Sequence, residues 1–426
     1  MYPKIAYILL HFPYLTETFV AEEMDAVKRR GIDLQIVSLL EPGSGPIQSV
    51  SKALMPDCWY APGLTSVRLW GVQFVVFLRA PALYIRLLWT LLAQPHQGRL
   101  FGSLAKRVVI FLKAVATAEH LRGQGIELLH THFAWLSGAA TWVTARLLGL
   151  PFTVTTHAYD IYAKSELLDL VVTQADHVFT ISEYNRNVIE EKCNCTPGHV
   201  SVLRCGIRYD KMKTGAQVDR ARADSSSIRI MSVGSLNDKK GHDYLIEACA
   251  LLAKRELSLT CSIFGDGRRY DELQSKIVDL GIEKQVHLLG PKPQEEIVDA
   301  FHQHDIFVLA AVVAANGDRD GIPVVLMEAG AFGLPLISTN VSGIPELVQH
   351  ERTGLIVPER DPSALADAIQ RLATDPALRR RLGERASALV HEEYEIDHNA
   401  ESFTRSIESV LADRTSAALN EAVSSA

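Results

Sequence analysis

The sequence predicts an α/β protein with two Rossmann-like domains, each built on a doubly wound parallel sheet. Three observations support this prediction. The chain has 426 residues, which is long for one ordinary domain. Short apolar runs, typical of strands covered on both faces, alternate with stretches of helical spacing. The alternation stops over the polar residues 208–227 and then resumes, so we expect a second domain of the same architecture.

The first half of the chain contains five apolar runs that we interpret as parallel strands. After the first of them, Phe19–Arg30 has helical spacing and stops at Gly31, a residue suited to a helix C-terminus. The predicted strands are Ile5–Leu10, Leu34–Leu39, Ile126–His130, Phe152–Thr156 and His177–Ile181. We therefore assign residues 1–206 to an N-terminal domain and residues 207–227 to a linker.

The same pattern resumes in the second half, where each apolar run precedes a plausible helix. The predicted strands are Ile228–Val233, Leu259–Phe264, Val286–Leu289, Ile306–Leu309 and Pro335–Ser338. We assign residues 228–395 to a C-terminal domain, residues 396–412 to a helix that packs back on the first domain, and residues 413–426 to a flexible tail. Because ligands of open α/β sheets bind beyond the carboxyl ends of the strands, we expect a cleft between two facing domains.

Composition excludes several classes of protein. Apolar residues make up 47% of the chain and charged residues 22%, as in soluble globular proteins, and the net charge of −7 gives no general affinity for nucleic acid. The run Ile5–Leu10 is too short for a secretory signal and no run is long enough to cross a membrane, so we expect a cytoplasmic protein. Cys193 and Cys195 have a poor spacing for chelation, so we expect no metal site there.

One stretch departs from the overall acidity of the chain. Residues 61–120 carry seven Lys and Arg residues and a single acid, Glu119. Its pattern is typical of amphipathic helices. Two interpretations remain open: a solvated helical layer, or a surface that docks on anionic lipid to reach a lipid-linked substrate.

A glutamate lies on an otherwise apolar helix after the strand Ile306–Leu309. The residues three and four positions from Glu328 are Val324, Val325, Ala331 and Phe332. A desolvated carboxylate costs several kcal/mol unless it accepts hydrogen bonds, and the two hydroxyls of a ribose are suitable donors. A snorkelling or salt-bridged glutamate is an equally good interpretation. The preceding polar loop ends at Gly321, and Pro323 is suited to the first helical position.

Two lysines lie at the start of the helix that follows the first strand of the second half. This helix begins near Gly241, and its macrodipole disfavours the cations Lys239 and Lys240 at that end. Their presence suggests a bound anion, and a diphosphate fits, although solvated lysines are the alternative. Gly234 and Gly265 also follow predicted strands. Together these loops predict a nucleotide pocket without identifying the nucleotide.

These motifs resemble the retaining glycosyltransferases with the GT-B fold, a family that includes bacterial sucrose-, mannosyl- and exopolysaccharide-forming enzymes. The family's hallmark is an acid, seven residues and a glutamate, ahead of a Gly-x-Pro segment. Here it reads Asp320-x7-Glu328, followed by Gly-Leu-Pro. The resemblance is strongest over residues 228–375. The segment His11–Val20 and the Ala-Ala-Asn-Gly-Asp ahead of the acid pair resemble the colanic-acid-type exopolysaccharide branch.

The resemblance implies roles for the residues of the second half. It assigns the ribose to Glu328 and the hydroxyls of the transferred sugar to Asp320. Lys240 matches the family's phosphate-binding lysine, whereas Ser235 stands where the family has an arginine, for which Lys239 or Arg204 is a candidate substitute. Also placed in the donor site are Gly234, Gly265, Gly321, Ile322, Pro323 and Val324.

The first half contributes candidate catalytic and acceptor-binding residues. His157 matches the family's histidine beside the transferred sugar, and His132 is expected to orient the acceptor; each histidine alone is more often structural. Glu17 and Thr18 precede or open the first helix and are expected to bind acceptor hydroxyls. A helix cap formed by Thr16 or Thr18 is the alternative.

We therefore predict a retaining hexosyltransferase that moves a sugar from a UDP- or GDP-sugar co-substrate to a glycan or polyprenyl-diphosphate-linked acceptor. The expected process is exopolysaccharide or cell-surface polysaccharide biosynthesis, in the cytoplasm or at the inner face of the plasma membrane. No cofactor or metal is expected. No DxD-type motif is suitably placed to bind a metal, and two lysines are suitably placed to neutralise the diphosphate. The alternatives are a nucleotide-sugar epimerase of the same fold and a non-catalytic sugar-nucleotide or glycan-binding partner. A dinucleotide oxidoreductase is disfavoured because no strand–Gly-x-Gly-x-x-Gly–helix unit opens either half.

Overall fold

A computed structural model describes residues 3–14, 17–42, 47–96, 100–209 and 227–424 of the chain. The polypeptide forms two compact units. The first contains Met1–Cys205 together with Ile396–Ala426, and the second contains Gly206–Glu395. Most of the expected linker, residues 210–226, lies outside the described residues.

The first unit is built on a seven-stranded parallel sheet. Its strands are β1 (Lys4–His11), β2 (Asp33–Leu40), β3 (Cys58–Tyr60), β4 (Leu128–His132), β5 (Phe152–Thr156), β6 (His177–Thr180) and β7 (Val200–Val202). They lie in the order β3-β2-β1-β4-β5-β6-β7. The strand order reverses between β1 and β4, and ligands of doubly wound sheets bind at such a switch point. The strand expected at Ile126–His130 starts and ends two residues later, so that His132 closes β4.

Helices cover this first sheet. They are α1 (Thr18–Arg29), α2 (Ser49–Leu54), α3 (Val67–Arg79), α4 (Pro81–Leu92), α5 (Leu100–Leu121), α6 (Leu136–Leu148), α7 (Leu168–Gln174) and α8 (Glu183–Cys193). The basic stretch 61–120 forms α3, α4 and α5, so its expected helical character is found. Among the described residues no single helix has the length and apolar composition to cross a membrane.

The second unit is built on a six-stranded parallel sheet. Its strands are β8 (Ile228–Val233), β9 (Leu259–Phe264), β10 (Val286–Leu288), β11 (Ile306–Leu309), β12 (Leu336–Thr339) and β13 (Gly354–Val357), in the order β10-β9-β8-β11-β12-β13. Its helices are α9 (His242–Lys254), α10 (Tyr270–Asp279), α11 (Gln294–Gln303), α12 (Val324–Ala331), α13 (Ile344–Leu347), α14 (Pro362–Thr374) and α15 (Pro376–Glu393). The switch point of this unit lies between β8 and β11.

The last helix, α16 (Ile396–Ser424), returns to the first unit. Its Phe403 is fully buried in the same apolar cluster as Met24 of α1. At the surface of this contact Arg29 donates to Asp397 across 2.7 Å. The sheet face that carries α1 is therefore closed by the C-terminal end of the chain.

The expected flexible tail, residues 413–426, is instead helical as far as Ser424, and its last two residues lie outside the described residues. Residues 411–424 contain neither glycine nor proline and include six alanines and leucines. These are strong helix formers, so nothing in the sequence ends α16 at residue 412.

Candidate active site

Glycine-bearing loops meet beyond the carboxyl ends of the strands at the switch point of the second unit. Gly265 has φ +141°, and a Cβ added there would lie 1.9 Å from the carbonyl oxygen of Gly234. Gly241 has φ +65°, and its added Cβ would lie 1.8 Å from the carbonyl oxygen of Ala310, which directly follows β11. Only glycine fits these positions, because backbone lies against backbone. The loops after β8, β9 and β11 are thereby fixed to one another.

This packing brings two lysines to the loop after β11. Lys239 and Lys240 lie on a 3-10 turn, Asp238–Lys240, directly before Gly241. The Nζ atom of Lys240 lies 2.6 Å from Oδ2 of Asp320. The Nζ atom of Lys239 lies 3.2 Å from Oδ1 of Asp318 and 3.6 Å from Oδ1 of Asp320. Two cations and two carboxylates therefore form one group at the switch point.

The opposite charges in this group stabilise one another's ionised forms. Burial alone would raise the pKa of Asp320, but the ammonium groups of Lys240 and Lys239 outweigh it and lower that pKa. Burial opposes the charge of Lys239, yet the carboxylates of Asp320 and Asp318 raise its pKa. The acid and this lysine are therefore both charged at neutral pH, although they are largely enclosed. Sequence reasoning gave Lys240 and Asp320 separate roles and did not anticipate this ion pair.

Glu328 lies on α12 and is half-buried. Its carboxylate has no hydrogen-bond or ion-pair partner among the residues that the structure describes. Burial raises the pKa of Glu328 to about 7. Of the two interpretations of this residue, a salt-bridged glutamate is therefore not what the structure shows. A partly desolvated acceptor without a donor is available for the hydroxyl groups of a ligand.

A short turn connects the acidic loop to α12. Gly321, Ile322 and Pro323 are buried in it, and Val324 is half-buried. Pro323 has ψ 128° and so precedes the helix instead of opening it, because a helical residue has ψ near −42°. The expectation that Pro323 is the first helical residue was one position too early. The buried turn fixes the spacing between Asp320 and Glu328.

At the switch point of the first unit, a largely buried chain of hydrogen bonds joins four side chains. The Nδ1 atom of His132, at the end of β4, lies 3.0 Å from Nε2 of His157, which follows β5. The Nε2 atom of His132 lies 3.0 Å from Oε1 of Glu23 on α1. The same oxygen accepts a hydrogen bond from the hydroxyl of Tyr7 at 3.1 Å. The sequence had predicted both histidines but not their contact, nor Glu23.

The direction of this chain of hydrogen bonds follows from its carboxylate. A carboxylate only accepts, so when the His132 ring is neutral its proton lies on Nε2 and its Nδ1 accepts from His157. His157 then carries its proton on Nε2, and its Nδ1 is left as an acceptor. Burial lowers the pKa of His157 well below its usual value and keeps the ring neutral. A neutral His132 therefore holds His157 in one tautomer.

The backbone around His157 is also fixed. Its own N–H donates to Oδ1 of Asp160 across 2.8 Å, and the N–H of Ala134 donates to Oδ2 of the same carboxylate across 2.7 Å. Asp160 is fully buried, and burial raises its pKa to about 7. The loops that follow β4 and β5 are therefore tied together by one side chain.

Glu17 and Thr18 lie where the sequence places them, at the start of α1. Thr18 is the first helical residue, and no side chain of the described residues caps the helix. Burial raises the pKa of Glu17 to about 7, an effect that nearby His132 partly opposes. Thr16 lies outside the described residues. Glu17 therefore belongs to the same surroundings as the histidine chain.

The atoms of Glu23, His130 and His132 that are able to ligate a metal lie within 4.8 Å of one another. His130 is already bonded at both nitrogens, to Thr153 Oγ1 at 2.8 Å and to Thr155 Oγ1 at 3.3 Å. The two nitrogens of His132 are engaged by Glu23 and His157. This cluster has the geometry of a hydrogen-bonded network in which the protein satisfies every ring nitrogen.

Both halves of the chain match glycosyltransferase family models. Residues 16–211 match the model described as Glycosyltransferase Family 4, and residues 216–389 match the model described as Glycosyl transferases group 1. The chain therefore contains two glycosyltransferase domains. The GT-B fold class expected from the sequence, with two Rossmann-like domains, is thereby confirmed.

Named relatives of this glycosyltransferase come from bacteria. Over 183 residues, 43% of this chain and 44% of the relative, it is 40% identical to the amylovoran biosynthesis glycosyltransferase AmsK of Erwinia amylovora. Over 96% of this chain and 99% of the relative, it is 27% identical to the putative colanic acid biosynthesis glycosyltransferase WcaL of Escherichia coli. The crystal structure of Anabaena Alr3699/HepE in complex with UDP matches with a TM-score of 0.70, at 15% identity over 95% of this chain and 100% of that one.

The glycosyltransferase has a serine at position 235, where the family has an arginine. The structure shows what this serine contacts and which cation is able to replace the arginine. Ser235 is exposed, and its Oγ accepts from the side-chain amide of Asn237 across 2.8 Å. Arg204, one of the two candidate substitutes, belongs to the other unit. Lys239, the second candidate, lies in the same ion-paired group as Lys240. The position of Lys239 therefore favours it as the second cation.

Sequence reasoning also missed a buried histidine at this site. His242 opens α9 directly after Gly241 and is 2% exposed. Burial, with a contribution from Lys240, lowers the pKa of His242 to about 4. Neither ring nitrogen has a hydrogen-bond partner of acceptable geometry among the described residues. The sequence shows only a histidine at a helix start after two lysines. That pattern does not distinguish a buried site residue from an ordinary helix residue.

Proposed function

We propose that this glycosyltransferase moves a sugar from a nucleoside-diphosphate sugar to a hydroxyl group of a glycan, with retention of the anomeric configuration. The observation that carries the proposal is the group of Lys239, Lys240 and Asp320 at the switch point of the second unit. Two cations at a strand end are able to neutralise a diphosphate, and a carboxylate beside them is able to accept a hydrogen bond from a sugar hydroxyl. All three are pre-positioned in a single cluster.

The nucleoside end of the donor is assigned to Glu328. Its carboxylate is half-buried and lacks a partner among the described residues, so vicinal ribose hydroxyls supply the missing hydrogen bonds. The buried turn Gly321–Val324 is assigned to the same donor site, as are the glycine loops at Gly234 and Gly265. The proposed donor is a UDP- or GDP-sugar. None of the residues of the site is assigned to the base, so they do not distinguish between the two.

The proposed chemistry uses the leaving phosphate as the base. The bond from the anomeric carbon to the β-phosphate oxygen breaks, and a bond from the acceptor oxygen to the same face of that carbon forms. The acceptor proton passes to the departing phosphate oxygen. Lys240 and Lys239 stabilise the charge that develops on that phosphate, so the step needs neither a covalent enzyme nucleophile nor a metal ion.

The first unit is assigned to the acceptor and the transferred sugar. The fixed tautomer of His157 presents an unprotonated Nδ1, which accepts a hydrogen bond from a sugar hydroxyl. Glu17, Thr18 and His132 are the proposed acceptor-binding and orienting residues. The names of AmsK and WcaL, from amylovoran and colanic acid biosynthesis, support a role in exopolysaccharide biosynthesis. We propose that the enzyme meets a polyprenyl-diphosphate-linked acceptor at the inner face of the plasma membrane.

The test is turnover of a panel of UDP- and GDP-sugars with and without exopolysaccharide repeat-unit acceptors. The expected result is release of nucleoside diphosphate only when both substrates are present, with the anomeric configuration of the product, measured by NMR, equal to that of the donor. Inversion would overturn the proposed stereochemistry. Epimerised sugar without acceptor would establish an epimerase instead, and donor binding without turnover across the panel would indicate a binding partner.

A further inference from the structure

The helices α3 and α4 turn apolar side chains towards solvent. Twelve of the eighteen exposed large apolar residues among the described positions lie between Leu64 and Val108, about a tenth of the chain. The largest exposed fractions belong to Phe101 at 87%, Val67 at 86% and Trp89 at 72%. Soluble monomers scatter such residues singly, so a concentration of this kind marks an interaction surface. We name the outward faces of α3, α4 and the start of α5 the apolar platform.

The inward side of the platform carries buried polar groups beside apolar residues such as Leu69, Val76 and Leu91. Gln73 of α3 is buried, donates to the carbonyl of Leu112 across 3.0 Å and accepts from Tyr84 across 3.0 Å. Arg107 of α5 is 1% exposed and donates to the carbonyl oxygens of Leu91 and Gln94 at the end of α4. Buried hydrogen bonds therefore hold these helices in place. Their apolar outer faces are exposed in a well-packed arrangement.

The charges on the platform have one sign. No acid occurs between residues 61 and 118. Of its cations, Arg79 is paired with Glu119 at 2.8 Å, and Lys113 is buried against the carbonyl of Ala61 at 3.0 Å. Arg68 and Arg86 are exposed and have no ion-pair partner among the described residues, and Lys106 is exposed as well. The surface thus combines Trp and Phe side chains with unpaired cations and no carboxylates.

We propose that the apolar platform is an interfacial docking surface for a bilayer containing anionic phospholipids. Aromatic and aliphatic side chains enter the boundary between headgroups and acyl chains, while Arg68 and Arg86 bind lipid phosphates. The α3 and α4 helices reach the apolar length of a membrane span only as a pair, and they are bent by 115° to one another, which suits a helix pair lying in the interface. A second copy of the chain fits less well, because two platforms of like charge repel one another.

This inference names the surface behind the proposed membrane location, and it does not require the proposed sugar transfer. The test is co-sedimentation of the purified full-length protein with phosphatidylcholine vesicles, with and without 30% phosphatidylglycerol, in the absence of donor and acceptor. Binding is expected only to the anionic vesicles and is expected to fall with added salt. Because no substrate is present, failure of the transferase proposal leaves this result unaffected.

Two double variants separate the contributions of the surface. Phe74→Ser/Trp89→Ser is expected to weaken binding at least tenfold, whereas the control Val278→Ser/Leu289→Ser removes similarly exposed apolar residues of the other unit and binds normally. Removing a surface cation costs about fivefold in binding, so Arg68→Gln/Arg86→Gln is expected to lose about twenty-five-fold. Its control, Arg380→Gln/Arg385→Gln on α15, is expected to lose little.

Circular dichroism of each variant and sedimentation velocity of the wild type complete the test. These substitutions are exposed, so the fold is expected to persist. A blue shift of tryptophan fluorescence on vesicle addition, lost in Trp89→Ser, is the expected second signal. Equal binding of platform and control variants, or equal binding to neutral and anionic vesicles, would overturn the proposal. Dimerisation abolished by the platform substitutions, with no vesicle binding, would replace it with self-association.

Discussion

The ammonium group of Lys240 lies 2.6 Å from Oδ2 of Asp320, although 80 positions separate the two residues. The lysine assigned to the donor phosphate is therefore held by the acid assigned to the transferred sugar. The ion pair orients Lys240 before any donor arrives, and an incoming phosphate shares the lysine with the carboxylate or displaces it. Substitution of either residue is expected to affect the other's proposed role.

Lys240→Ala is expected to lower turnover by on the order of a hundredfold, because it removes a cation from the developing phosphate charge. The measurement is steady-state kinetics with the donor identified by the substrate panel. The control is Lys254→Ala, an exposed lysine at the far end of α9. Because Lys240 and Asp320 are in contact, Lys240→Ala/Asp320→Ala is expected to lose less than the product of the two single effects. Wild-type turnover of Lys240→Ala would remove the phosphate assignment.

Glu328→Gln is expected to raise thermal stability at pH 8 while it abolishes donor binding. Burial raises the folded-state pKa of Glu328 from 4.5 to about 7, so the folded protein binds the proton more tightly than the unfolded chain. The wild type therefore loses stability as pH rises from about 4.5 through 7, whereas glutamine does not titrate. Melting temperatures from pH 4 to pH 8, with and without UDP and GDP, test both effects. Unchanged stabilisation of the variant by nucleotide would refute the ribose assignment.

Gly265→Ala is expected to destabilise the protein by roughly 2–4 kcal/mol and to weaken donor binding, because the new Cβ collides with backbone at a positive φ. Urea unfolding and a nucleotide thermal-shift assay measure the two losses. Gly71→Ala is the matched control, since its added Cβ meets no described atom within 4 Å and it lies within α3. There alanine is expected to stabilise by about 0.5–1 kcal/mol. Equal stability of the two variants would contradict the close approach of the loops.

Glu23→Gln is expected to change the tautomer of His157 without touching that residue. A glutamine is able to present an N–H to His132, which reverses the direction of the hydrogen-bond chain. Nitrogen-15 NMR of the imidazole rings distinguishes a proton on Nε2 from one on Nδ1, and a merely structural role for Glu23 would leave the wild-type tautomer. Turnover is expected to fall when the tautomer of His157 changes. Glu191→Gln, an exposed glutamate on α8, serves as control and is expected to change neither the spectrum nor the rate.

Much of the fold was predictable because central strands of parallel sheets are continuous apolar runs. Phe152–Thr156 was predicted with its observed bounds, since both its faces are covered. The strands β3, β7 and β13 were not predicted; each has only three or four residues and lies at a sheet edge, although the equally short edge strand β10 was predicted from its apolar run. Such short segments carry too little periodicity to be separated from loops.

The candidate site was predicted in its residues but not in its contacts. Glycines and lysines at strand ends are recognisable from local sequence patterns. Lys240 and Gly265 could therefore be predicted from the sequence. The pairing of Lys240 with Asp320 depends on the adjacency of β8 and β11, which no local pattern encodes. Glu23 lies on an amphipathic helix beside another glutamate, and only the packing of α1 determines which of the two turns inward. Long-range relationships of this kind follow from topology.

The first and last residues of the second unit are neighbours. The N–H of Ile207 donates to the carbonyl of Tyr394 across 2.8 Å, and Ile207 also forms a parallel bridge with Glu395. Because α16 then rejoins the first unit, the second unit is an insertion whose two ends meet at one point. A segment of that kind can be exchanged as a cassette between related chains through a single pair of junctions. Under the proposed assignment of the donor to the second unit and the acceptor to the first, such an exchange is expected to change donor preference and leave acceptor recognition in place.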